Sequence, residues 1–351
     1  MSQFPHIHLP LNAKITFTAN PVNVLPLPDG EFLLNFASQP LITHLDSKLQ
    51  IISERLLPIQ SAKYVSTKMS ASSDGKRIAI AGMNDIRIID NDLNVLHTIE
   101  HEPWGYFLGS AVYFGADNKT IMYVIPVGDD EQDELQIIDA HTFELLASYP
   151  LNGKQEYAYT FHACPDKGRV MLEASAGQEE CELTEISYNN GVITVRELPQ
   201  CADHIFGNFS PSGKEFVTAP HYDGPLMVFD YPAVSAVAEQ TQDAIFDGSA
   251  DYPAEEPDSL NYSAFFIDDK KMLVYTVFGR LLLIDRASMQ VEAEVMPEGI
   301  EFTAYDYNGN PTKSKEKIVD YSSNVINIMI VHNQLLLTTS DGELRSYNLP
   351  L

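Results

Sequence analysis

A short β-rich run, a tight turn and two further β-rich runs, the last closing on a polar residue, recur along this chain. The pattern is clearest from Gly207 to Tyr231, GNFSPSGKEFVTAPHYDGPLMVFDY. The turn after the first run reads Pro28-Asp29-Gly30, Ser73-Asp74-Gly75, Asp117-Asn118-Lys119 and Asp166-Lys167-Gly168 in the first four units. In the last three it reads Ser212-Gly213, Asp268-Asp269-Lys270 and His332-Asn333. The closures are Leu45-Asp46, Ile89-Asp90, Ile138-Asp139, Ser187-Tyr188, Phe229-Asp230, Ile284-Asp285 and Tyr347-Asn348. Five of the seven end in Asp, whose short carboxylate accepts hydrogen bonds from the backbone just ahead and so favours a turn. Most units continue into a fourth run, such as Val95 to Glu100 or Val291 to Met296.

Four strands per unit at a period near 45 residues is the pattern of a propeller blade. The turn markers at 30, 75, 118, 168 and 213 hold the period, and those at 269 and 333 drift after long insertions. The expected fold is therefore all-β: a seven-bladed β-propeller of four-stranded antiparallel blades in a single domain, residues 1–351. Blades are expected at about 21–60, 67–101, 109–152, 159–199, 204–239, 260–298 and 323–351. The last has only three strands of its own. A spare N-terminal strand at about 13–18 completes it, which removes open sheet edges. The array resembles WD40-like and YVTN-type propellers over essentially the whole chain. Ser-Ser-Asp-Gly-Lys (72–76) with Ile-Arg-Ile-Ile-Asp (86–90), and Phe-Ser-Pro-Ser-Gly-Lys (209–214) with Val-Phe-Asp (228–230), carry the resemblance. Unlike strict WD repeats, it has no Gly-His and no Trp-Asp dipeptide. The best short helical candidate, Ala233 to Gln240, is expected to replace or distort the fourth strand of blade five.

Charge narrows the function classes. Forty-nine acids against twenty-two bases give −27, which opposes nucleic acid and anionic membrane as partners. The start, MSQFPHIHLPLNAK, has no basic region leading into a long apolar segment, so a cytoplasmic protein is expected. Cys164, Cys181 and Cys201 match no zinc spacing; reduced thiols are the expected state, with one disulfide the alternative. His6-Ile7-His8 reads as a solvent-facing strand rather than a metal site. Asp90-Asn91-Asp92-Leu93-Asn94 imitates a calcium loop, but Val95 and His101 stand where it needs Gly and Glu, so it reads as a hairpin turn. No nucleophile elbow, phosphate loop or dinucleotide fingerprint occurs. No cofactor and no catalytic residue is assigned.

The long segments fall in the loops between strands two and three and in the links between blades. They are rich in acids and aromatics. Glu100 to Gly109 carries the only tryptophan, Trp104, with Tyr106. Gly128 to Glu134 includes Asp129, Asp130 and Glu131, and Gly177 to Glu182 includes Glu179 and Glu180. Pro220 to Pro225 brings Tyr222 and Asp223; Glu239 to Asp258 brings Asp251, Tyr252, Glu255 and Glu256 with no Lys or Arg. Loops on a rigid scaffold are where binding is usually placed. These thirteen residues are the expected contact set of a non-catalytic interaction module for another protein with a basic surface, an inhibitor or immunity protein being one specific form. Two alternatives stand beside it. One is a lactonase-like propeller enzyme with an axial site drawing on His162, Asp203 and His204. The other is a carbohydrate or small-ligand binder that stacks on Trp104.

Overall fold

The computed structural model describes the chain except for residues 1–3, 28, 37–38, 58–65, 105–109, 128–131, 153–156, 177–179, 247–251, 253, 256, 315–316, 332 and 350–351. Its strands form seven four-stranded antiparallel blades, each paired in the order one-two-three-four. The chain divides into two compact units: Ala19–Pro199, and Met1–Thr18 with Gln200–Leu351. The first holds blades one to four, spanning 21–56, 66–100, 111–150 and 158–197. The second holds blades five to seven, spanning 204–240, 260–297 and 325–348.

The expected N-terminal closure is present. Leu11–Thr16 pairs antiparallel with Glu343–Asn348 and supplies the fourth strand of blade seven. One pairing was not expected: the His6–Leu9 strand adds in parallel to Val291–Pro297, making blade six five-stranded. The helix expected at Ala233 to Gln240 is corrected. Ala236–Gln240 is the regular fourth strand of blade five, and a short helix follows it at Gln242–Phe246. Val228 and Phe229 hold the strand in the ladder, so pairing overrides local preference.

The closing aspartates act as expected. Asp46 Oδ1 accepts from the backbone N–H of Lys48 and Gln50, and Asp90 Oδ1 from Asp92 and Asn94. Asp139 and Asp285 cap the equivalent turns at His141 and Ser288. These turns and the one after Asp230 put an apolar residue in the left-handed region: half-buried Phe143 at φ 60°, then Leu49 at 58°, Leu93 at 61°, Val234 at 61° and Met289 at 57°. That conformation costs about 1–2 kcal/mol for an L residue. The last four side chains are buried, and burying such a side chain contributes about 1.5–3 kcal/mol, which offsets the strain. The calcium-like run at Asp90 is one of these turns.

Apolar faces of successive blades make the core. Ile80, Ile89 and Leu93 of blade two pack on Leu33 and Ile42 of blade one. Val217 and Val228 of blade five pack on Ala264, Val274 and Leu282 of blade six. Polar ties reinforce the stack. Arg286 forks onto Glu215 with two bonds of 2.8 Å, and Asn208 exchanges two bonds with the backbone of Phe266. Gly207, on the first strand of blade five, lies against Ala264 on the first strand of blade six. A Cβ there would stand 1.8 Å from the carbonyl oxygen of Ala264, so the first strands meet at that spacing only because the side chain is absent. Gly207→Ala is expected to lower stability by about 2–3 kcal/mol, the upper part of the range for overpacking. A urea unfolding midpoint indistinguishable from wild type would contradict this.

Candidate functional site

In the three-blade unit, the decorated loops of blades five and six converge around one arginine. Arg280 follows Gly279 in the loop between the second and third strands of blade six and is only 1 % exposed. Its guanidinium forks onto Glu294, with Nε donating to Oε1 at 3.2 Å and Nη2 to Oε2 at 3.0 Å. Nη1 reaches Asp258 Oδ2 at 3.4 Å. The ring of Tyr252 lies 4.4 Å from the guanidinium carbon, and its hydroxyl donates to Glu294 Oε1 at 3.0 Å. Bidentate pairing and a cation over an aromatic face are the arrangements that make a buried charge tolerable. Asp258 also accepts from the backbone N–H of Ser259 and Phe278. Burial nonetheless pushes its carboxyl above the usual range, against the pull of those N–H groups and of Arg280.

The link from blade six to blade seven joins the same cluster. It forms a hairpin, Phe302–Tyr305 with Asp320–Ser323. Tyr321 meets Tyr252 edge-on at 5.2 Å and Phe278 at 5.3 Å. Gly279, at φ 85°, leaves room for the backbone of Ser323, which a Cβ would approach to 2.7 Å. Tyr307 at the tip is 71 % exposed.

Beside this cluster lies a groove of about 600 Å³ lined by Asp223, Gln242, Asp243, Phe246, Pro257 and Asp258. Gln242 staples its walls: Nε2 donates to the carbonyl of Tyr222, and Oε1 accepts from the N–H of Leu260. Tyr222 stands next to it, 47 % exposed, with its ring 4.5 Å from that of buried His221. The loop after strand two and the link after strand four therefore meet at the same end of blade five, as antiparallel order requires.

Several expected contact residues lie elsewhere. Trp104 is corrected: it is 4 % exposed and packs with Tyr159, Val124 and Leu135, so it is neither a surface anchor nor a stacking platform. Its indole N–H donates to Ser110 Oγ at 2.8 Å, and Ser110 in turn contacts His101 Nε2 at 2.8 Å. Tyr252 is corrected too, since its ring and hydroxyl serve Arg280 and Glu294. Part of the acidic run at 128–134 also turns inward: Asp133 is buried and accepts from the hydroxyl of Tyr159 at 2.7 Å. Glu180 is exposed and accepts from the Tyr157 hydroxyl; Glu255 is exposed. Tyr106, Asp129, Asp130, Glu131, Glu179, Asp251 and Glu256 lie outside the described residues. Of the axial candidates, His204 is buried with Nδ1 at 3.0 Å from Thr218 Oγ1, and His162 Nε2 is 3.6 Å from Glu173. They stand in different units. Among the described residues no group of three or more His, Cys, Asp or Glu side chains is placed to hold a metal ion, and no helix is long and apolar enough to cross a membrane.

Seven four-stranded blades completed by an N-terminal strand define a seven-bladed β-propeller, and solved structures share that fold. The WD40 domain of Neurospora crassa Pan2 superposes with a TM-score of 0.61 at 11 % identity, covering 97 % of this chain and 95 % of that one. BamB from Moraxella catarrhalis gives 0.57 at 10 % identity, covering 97 % and 100 %. Kuenenia stuttgartiensis hydrazine synthase gives 0.53 at 13 % identity, covering 77 % and 78 %. No family model and no curated protein sequence matches the chain. At these identities the likeness is one of fold, and function has to be argued from the site.

Two outcomes follow from the buried charges. Arg280→Met leaves Glu294 and Asp258 buried without their cation, and chemical denaturation is expected to show a loss of about 3–5 kcal/mol. Replacing Glu294 as well, in Arg280→Met/Glu294→Leu, is expected to restore part of it. The second concerns pH. Burial lowers the pKa of His101 and His204 below the ordinary 6.5, so both are neutral where the unfolded chain would protonate them. Their contribution to stability is complete above pH 6.5 and is lost as pH falls from there toward the folded values. Urea midpoints are expected to drop between pH 7.5 and 5.5, and to drop less in His204→Gln.

Proposed function

We propose that this chain is a non-catalytic interaction module that binds another protein, one with a basic surface, through the groove beside Tyr222. The observation that carries this reading is the juxtaposition of Asp223 and Asp243 on the rim with Phe246 on the wall, next to an exposed tyrosine. Such a surface pairs an apolar anchor with charge that steers a basic partner. The groove is also preorganised. Gln242 ties its walls and the Arg280 cluster fixes Asp258, so little ordering entropy is lost on binding.

The net charge of −27 supports the same direction: it favours encounter with a cationic protein and disfavours phosphate backbones and anionic lipid. A small basic toxin masked by this groove is the specific form we favour, with the chain acting as its inhibitor in the cytoplasm.

The test compares wild type with Asp223→Lys/Asp243→Lys as bait in a native lysate. A partner is expected to be retained by wild type at about 0.1 M salt and released at about 1 M, where the screening length falls from about 10 Å to about 3 Å. The charge-reversed variant is expected to lose that partner while melting like wild type. Retention that is equal in both, or indifferent to salt, would argue against the groove.

A further inference from the structure

In the four-blade unit the first strands of the blades, Pro21–Pro26, Ser66–Ala71, Ala111–Phe114 and Ala158–Ala163, lie next to one another in sequence order. One lysine crosses this surface. Lys68, on blade two, reaches past blade three so that Nζ donates to Thr160 Oγ1 on blade four at 3.1 Å. Thr160 stands opposite Glu173 in the pairing of blade four's first two strands, and directly opposed residues of an antiparallel pair project to one side. His162, two residues on, shares that side, and its Nε2 is 3.6 Å from Glu173 Oε2. An amine, a hydroxyl, a carboxylate and an imidazole from two blades are therefore gathered on one surface.

The lysine is unusual in its setting. Lysines ordinarily lay their stems on apolar surface and keep the ammonium in water. Here the hydrogen bond to Thr160 is the one the ammonium makes among the described residues, and no carboxylate of those residues lies within 4 Å of it. An ammonium has three donors to satisfy. Burial lowers its pKa from 10.5, with Glu173 opposing from a distance, and a desolvated lysine is the form that acts as a nucleophile. Thr160, His162 and Lys68 all keep part of their surface accessible.

We propose that Lys68 is a reactive amine at a small-molecule site that takes an uncharged aldehyde as an imine. The neutral Nζ adds its lone pair to the carbonyl carbon while the C=O π pair moves to oxygen. A proton passes from nitrogen to that oxygen, with Glu173 and His162 placed to relay it, giving a carbinolamine. Loss of hydroxide, protonated to water, then leaves the C=N bond. The balance is amine plus carbonyl to imine plus water, with no oxidant or reductant. Thr160 is a positioning residue that holds Nζ toward the shared surface. The site is independent of the groove in the three-blade unit.

The probe is acetaldehyde with sodium cyanoborohydride, which delivers hydride to the imine carbon and fixes the adduct as a secondary amine, the borohydride being oxidised. The full chain is treated near neutral pH, and adducts are mapped by mass spectrometry over time. Lys68 is expected to be labelled ahead of the exposed Lys48, Lys76 and Lys119. Lys68→Met is expected to lose that adduct while the other sites label unchanged. Thr160→Val and Glu173→Gln are expected to slow labelling at Lys68 alone, with melting curves checked in parallel. If Lys68 labels no faster than the exposed lysines, or not at all, the proposal fails. It also fails if Glu173→Gln, folded as wild type, leaves the Lys68 rate unchanged.

Discussion

A four-stranded sheet of strands about six residues long cannot bury two apolar faces by itself, so each blade holds its shape only while its neighbours press on it. Everything else in this chain answers to that constraint. Gly207 is set by the distance at which blade five meets blade six, and the Arg286–Glu215 fork spans the same junction. The turns capped by aspartate hold left-handed Leu49, Leu93, Val234 and Met289 because those side chains are buried. With one end of the blade so tightly specified, sequence variety is confined to the other end, where loops of any length can leave and return.

The chemistry of those free loops divides in two. Composition counts Tyr252, Asp258 and Asp133 among the acidic, aromatic decoration, yet all three turn inward. Tyr252 and Asp258 surround Arg280, while Asp133 receives the hydroxyl of Tyr159. The reason is electrostatic. A buried guanidinium is costly unless it is paired and hydrogen-bonded, and the insertion before blade six supplies partners that the sheet lacks. With Tyr252 and Asp258 committed in this way, Asp223, Asp243 and Tyr222 are left exposed at and beside the groove.

Blade number, strand order and the N-terminal closure were legible because each is written as a period: turn residues at a fixed offset and a polar closure after an apolar run. Side-chain destiny in the long loops has no period. Trp104 reads as an exposed anchor because it sits between Pro103 and Gly105 in a loop, whereas its indole fills the core beside Tyr159. Arg280 did leave a signal: a lone base in the run Val-Phe-Gly-Arg-Leu-Leu-Leu-Ile-Asp marks a charge that must find a buried partner. Its partner Glu294 alternates with Ala293 and Val295 in an ordinary strand, so the pairing becomes visible only with the sheet register.

Lys68 is hidden for the same reason, and its setting also says what kind of ligand suits it. Most of the described arginines are committed to structural ties: Arg77 to Ala140, Arg169 to Glu185, Arg280 to Glu294, Arg286 to Glu215 and Arg345 to Glu343. An anion approaching Lys68 would enter a chain of charge −27 and meet Glu173 beside its target, two penalties that one ammonium would have to overcome. A carbonyl group carries no such penalty. Its bond to nitrogen forms only with the uncharged amine, the state that desolvation at this position promotes, and the nearby carboxylate and imidazole become an asset because they move the proton the addition releases.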